Sequence, residues 1–108
     1  MQMPCLETAA PQLDVEWVVA TETELDPPYD IFVHNDDVTS MEFVIAILQQ
    51  VFNLAMPDAL TIMLMAHNNG EAKVATLPLE TAKYKVGQAH ALARQAQYPL
   101  RFTIEPAE

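Results

Sequence analysis

The chain has 108 residues, 51% of them apolar, which suits one small domain with a core and leaves little room for a second. A formal charge of −10 and a pI near 4.4 disfavour nucleic acid and anionic membrane surfaces as partners. Cys5 is the sole cysteine, which excludes an internal disulfide and fits a reducing compartment.

Residues 1–27 read as a flexible acidic arm. They carry Glu7, Asp14, Glu16, Glu22, Glu24 and Asp26 with no Lys or Arg, and prolines interrupt them. One segment inside, Val15-Glu16-Trp17-Val18-Val19, has strand-like composition suited to docking elsewhere. The start MQMPCLETAAPQ lacks the basic and apolar regions of a secretory signal. Arg is absent before Arg94, unlike a transit peptide, and no apolar run approaches the ~18 residues of a membrane span. A cytoplasmic protein is expected.

A folded domain is expected over residues 28–108. Tyr29 to His34 forms a first strand of β-branched and aromatic residues, ended by the turn-forming Asn35-Asp36-Asp37. Thr39-Ser40-Met41-Glu42 has the capping-box spacing, with Thr39 as the cap of a helix running to about Leu54. Its apolar stripe is Phe43, Ile47, Val51 and Leu54, widened by Val44 and Leu48. Pro57 and Asp58 suit the first turn of a second helix reaching His67, and Asn68-Asn69-Gly70 stops it. Glu71 to Leu77 reads as a second strand. Pro78 opens a long third helix to about Gln97, and Leu100 to Ile104 alternates as a last strand. The order β-α-α-β-α-β predicts a compact α+β domain, a three-stranded antiparallel sheet with three helices.

Two segments carry the chemistry. Met63 and His67 are four apart and share a helix face, with the small Ala66 between them. Met63 is therefore expected to line a cavity with His67 at its mouth. Asn35, Asp36 and Asp37 supply acceptors ahead of an apolar helix, and such a rim suits a cation attached to a greasy side chain. Each segment also has a plainer reading, as a core methionine with a surface histidine and as a turn whose side chains bond their own backbone. Calcium needs more oxygen ligands than the two aspartates offer, and His34, His67 and His90 lack zinc spacing, so no metal or other cofactor is expected. Two glycines exclude a phosphate-cradling loop, and nothing near Cys5 would activate it. An acid–base pair of Asp36 or Asp37 with His67 is compatible with the spacing but suggests no reaction.

The run Asn35-Asp36-Asp37-x-Thr39-x-Met41-Glu42-Phe43-Val44 resembles the ClpS family, adaptors that deliver N-degron substrates to Clp-family AAA+ proteases. Met63-Leu64-x-x-His67-x-x-Gly70, Glu80-x-x-x-x-Lys85-Val86 and Tyr98-Pro99-Leu100 continue the resemblance over about residues 28–105. It implies a non-enzymatic adaptor that binds a destabilising amino-terminal Leu, Phe, Tyr or Trp and hands its bearer to a ClpA/ClpC-type unfoldase for degradation by ClpP. Asn35, Asp36 or Asp37, and His67 would hold the α-ammonium. Thr39, Met41, Val44, Met63, Ala66 and Leu100 would form the side-chain pocket. Glu80 and Lys85 would face the amino-terminal domain of the unfoldase, and the arm would engage it during delivery.

Three departures from the family pattern stand out. Ala66 replaces a larger wall residue, His34 takes a place that is often apolar, and Pro78 stands where a Ser or Thr cap is common. The first two motivate an alternative, a ClpS-fold regulator of the unfoldase that no longer reads N-degrons.

Overall fold

The computed structural model describes residues 26–107. The sequence reading of residues 1–25 lies outside the described residues. Six elements follow one another: β1 (Pro28–His34), α1 (Met41–Gln50), α2 (Met56–Asn69), β2 (Glu71–Pro78), α3 (Leu79–Gln95) and β3 (Arg101–Pro106). β1 lies in the middle of a fully antiparallel sheet of order β2-β1-β3.

Alternation along β1 decides which face is covered. Ile31 and Val33 are buried, and their register partners Ala72, Ala75, Phe102 and Ile104 lie on the same side of the sheet. Val74 is the extra residue of a bulge opposite Ile31 and Phe32. The helices cover that side with Ile47 and Leu48 of α1, Ala59, Met63 and Ala66 of α2, and Ala82, Ala89 and Ala93 of α3. The stripe of alanines lets α3 approach the sheet closely.

Several local expectations are corrected. Thr39 does not cap α1; the cap is Ser40, whose Oγ accepts from the Phe43 amide at 3.1 Å. The Thr39 hydroxyl is instead drawn to Asp36, which offers a full charge where the helix end offers a partial one. α1 stops at Gln50 rather than near Leu54, because Asn53 adopts a left-handed φ of 58° and Leu54 N–H turns back to Leu48 O. Asparagine accepts that conformation more readily than most side chains. α3 ends at Gln95, two residues early, where Gln97 adopts a φ of 64°. Pro78 both closes β2 and stands at the N-terminal cap of α3, with no side-chain bond to give. Asp26 supplies the missing acceptor from outside, taking the Glu80 N–H at 3.2 Å, while Pro27 O takes the Leu79 N–H.

Candidate functional site

The end of β1, the turn after it, the start of α1 and the last turns of α2 converge on one cavity. Val33, His34, Asn35, Asp36, Thr39 and Met41 contribute from the first segments, Val44 from α1, Met63, Ala66 and His67 from α2, and Leu100 from the approach to β3. About 310 Å³ of space lies between these residues and the open mouth. The floor is apolar and buried, since Met63, Ala66 and Leu100 are 6%, 4% and 5% exposed. Met41 is 44% exposed and forms an unbranched, movable wall at the entrance.

Gly70 joins the two halves of the rim. It ends α2 at a φ of 93°, and its carbonyl accepts from the Asn35 amide at 2.9 Å. This bond holds the turn after β1 against the end of the helix that carries His67. Met63, Ala66 and His67 share a face of α2, as their spacing requires.

Asp36 is the pivot of the turn. One carboxylate oxygen accepts from Val38 N–H at 2.8 Å and Thr39 N–H at 2.6 Å, and the other accepts from the Thr39 hydroxyl at 2.8 Å. Partial burial pushes its pKa up, but the bonds from Thr39 and Val38 outweigh that and hold it below the usual carboxylate range. Asp37 is exposed and outside the cavity lining, with no side-chain hydrogen bond to a described residue. No hydrogen bond or ion pair joins His67 to either aspartate, so the acid–base pair considered from sequence is not assembled. Among the described residues no three metal-ligating side chains cluster.

Two lining residues, Val33 and His34, were absent from the sequence-derived pocket. Their signal was position alone, as the last residues of the strand that delivers Asn35. His34 does not break the strand end. Its Nε2 shares a hydrogen bond of 2.7 Å with Thr103 Oγ1, and its Nδ1 lies 3.4 Å from the Glu71 carboxylate.

The two residues expected to face an unfoldase lie on the first turns of α3. Glu80 is exposed and pairs with Lys83 at 3.4 Å. Lys85 is half-buried, and its ammonium donates to Val51 O at the end of α1 at 2.8 Å.

Comparison with known proteins decides the family. The family model described as "ATP-dependent Clp protease adaptor protein ClpS" matches residues 24–103. The chain belongs to the ClpS family. It is 43% identical over 88 residues to the ClpS of Shewanella loihica, covering 80% of this chain and 86% of that one. It is 39% identical over 85 residues to the ClpS of Desulfatibacillum aliphaticivorans, covering 79% and 82%. The solved structure of Agrobacterium tumefaciens ClpS2 bound to L-phenylalaninamide superposes with a TM-score of 0.73 at 34% identity, covering 76% of this chain and 99% of that one. The β-α-α-β-α-β architecture read from sequence is the one found, shared with that ClpS2 structure. As a ClpS protein, the chain is an adaptor of the ATP-dependent Clp protease, with a Clp unfoldase as partner. No helix among the described residues is long and apolar enough to cross a membrane.

Proposed function

We propose that this ClpS binds the destabilising hydrophobic amino-terminal residue of a substrate protein in the cavity and delivers the substrate to a ClpA/ClpC-type unfoldase. The observation that carries the reading is the meeting of an acceptor rim with a buried apolar floor in one small cavity. L-Phenylalaninamide, the molecule bound to the related ClpS2, is a phenylalanine with a free α-amino group and no free carboxylate, as at the start of a protein chain.

The chemistry divides between rim and floor. A free α-amino group is charged at neutral pH and offers three donors. The Asn35 amide oxygen, an aspartate and an unprotonated nitrogen of His67 supply acceptors. Asp36 has already spent most of its lone pairs on its own turn, so among the described residues the carboxylate with capacity to spare is Asp37, one residue on. Charged hydrogen bonds contribute roughly 1.5–3 kcal/mol each. Burying a Leu or Phe side chain against Met63, Ala66 and Leu100 adds roughly 1.5–3 kcal/mol. After association costs, micromolar affinity, on the order of −8 kcal/mol, follows. An internal residue brings no ammonium and would leave the rim unpaired.

Unfoldase docking is assigned to the start of α3. Glu80 presents its carboxylate there. Lys85 already donates to Val51 O, so it would contact the unfoldase through its remaining donors and its stem.

Titration of peptides beginning with Leu, Phe, Tyr, Trp or Ala, each with a free and an acetylated amine, tests the reading. Tight binding is expected only for free amines on large apolar residues. Equal affinity for free and acetylated peptides would exclude it. Docking on the unfoldase with no peptide binding at all would leave a regulator that does not read N-degrons.

A further inference from the structure

Two methionines share the cavity and differ in what can reach them. Met63 of α2 lies in the floor at 6% exposure, and Met41, the first residue of α1, stands at the mouth at 44%. Met41 lies outside the hydrophobic core, whereas Phe43, Val44 and Ile45 on the same helix pack against it. Its thioether is therefore open to small solutes while it walls a site for apolar side chains. Thioethers are common targets of oxidants, and a sulfur must be reached to be oxidised. Hydrogen peroxide is uncharged, so the net charge of −10 does not keep it from the mouth.

We infer that Met41 is a modification site: hydrogen peroxide or an alkyl hydroperoxide converts it to methionine sulfoxide ahead of Met63, and the oxidised mouth receives an apolar amino-terminal side chain poorly. A sulfur lone pair attacks one peroxide oxygen. The S–O bond forms as the O–O bond breaks, and the hydroxyl proton passes to the leaving oxygen, which departs as water or alcohol. Sulfur is oxidised and the peroxide is reduced by the same electron pair, with no further reactant.

The product is polar where the thioether was greasy. An entering Leu or Phe side chain strips water from the sulfoxide oxygen and offers no donor in return. Swinging the sulfoxide out to water spares that cost but leaves the guest without its wall. The fold does not share the penalty, because the modified side chain is outside the core. The consequence for binding rests on the adaptor reading; the order in which the two sulfurs oxidise does not.

The experiment oxidises the full chain with hydrogen peroxide, with Cys5→Ser in every arm to keep thiol chemistry out. Cleavage at acidic residues and fragment-ion mass spectrometry then assign each sulfoxide. Met41 sulfoxide is expected well before Met63 sulfoxide, with far-UV circular dichroism unchanged. Affinity for a free-amine peptide beginning with Phe should fall roughly five- to fiftyfold. Methionine sulfoxide reductases of both stereospecificities, supplied with a dithiol, should restore it. Met56 and Met65, the other exposed methionines among the described residues, are removed together in Met56→Leu/Met65→Leu, which should lose as much affinity on oxidation as its parent. Met41→Leu sets its own starting affinity, and peroxide should not lower it. Met63 oxidising as fast as Met41 overturns the inference. So does a loss that persists in Met41→Leu, or full affinity with Met41 oxidised. Equal binding of free and acetylated peptides before any peroxide overturns the adaptor reading and the binding consequence with it, while mass spectrometry still decides the order of oxidation.

Discussion

Asp36 and Asp37 are chemically identical neighbours in different surroundings. Three bonds from Val38 and Thr39 commit Asp36 to the shape of the turn, while Asp37 stands exposed with no side-chain hydrogen bond among the described residues. Asp37→Asn should weaken binding of free-amine peptides by roughly 1.5–3 kcal/mol without changing the fold, measured by calorimetric titration. Asp36→Ala should weaken it as well, but by loosening the turn, visible as altered Val38 and Thr39 amide resonances. Acid should reach the turn in the same way. Folding lowers the Asp36 pKa, so its contribution is full above the unfolded value near ~3.9 and is lost as pH falls through the lower folded value. Thr39 amide shifts followed downward from pH ~5 should show this transition. The pairing of Asn35, an aspartate and His67 as candidates was legible from residue types, but which aspartate is free was not. Both fit the same turn, and only the bonds of Asp36 tell them apart.

Among the elements, α1 and α2 place the cavity walls, and their ends are the sensitive points. Ser40→Ala should cost about 1 kcal/mol by leaving the Phe43 amide uncapped. Thr39→Ala should cost α1 little and disturb the Asp36 turn instead; urea melts of both variants separate the two roles. Gly70 is the other hinge. Nothing lies within 4 Å of where a Cβ would stand, so Gly70→Ala would suffer backbone strain alone, of order 1 kcal/mol or more. Because the Gly70 carbonyl holds Asn35, peptide affinity should fall further than stability does. Helix existence and phase were readable because the apolar stripes repeat at helical spacing. Helix ends were not, since Asn53 and Gln97 take left-handed conformations that no pattern of apolar residues announces.

At the scale of the whole molecule, His90 couples α3 to the sheet. Its Nε2 accepts the Phe102 N–H at 2.9 Å, which requires an unprotonated nitrogen, and its ring lies 6.1 Å from that of Phe102. Burial first, then the nearby charge of Arg94, holds its pKa below the ordinary histidine value. A pKa lowered on folding gives stability that is full above ~6.5 and declines as pH falls through the folded value. Urea midpoints should therefore drop on acidification below pH ~6.5, and the slope should flatten in His90→Gln, which keeps an acceptor that does not titrate. An unchanged slope would show that His90 plays no part. Leu100, two residues before Phe102, lines the cavity, so the anchored start of β3 also steadies the pocket floor.

The sequence by itself determined the element order, the antiparallel α+β class and the family, because apolar periodicity, turn residues and an unbroken run of specific motifs are local properties of a chain. Nine of the eleven residues that line the cavity were also named from the sequence: Asn35, Asp36, Met63, Ala66 and His67 by turn chemistry and helix spacing, and Thr39, Met41, Val44 and Leu100 only through the family resemblance. Only the tertiary structure decided that Lys85 ties two helices together and that His34 pairs with Thr103 and Glu71 across strands. Those outcomes depend on partners up to 69 residues away, and a hydrogen bond is settled by which acceptor is nearest in space.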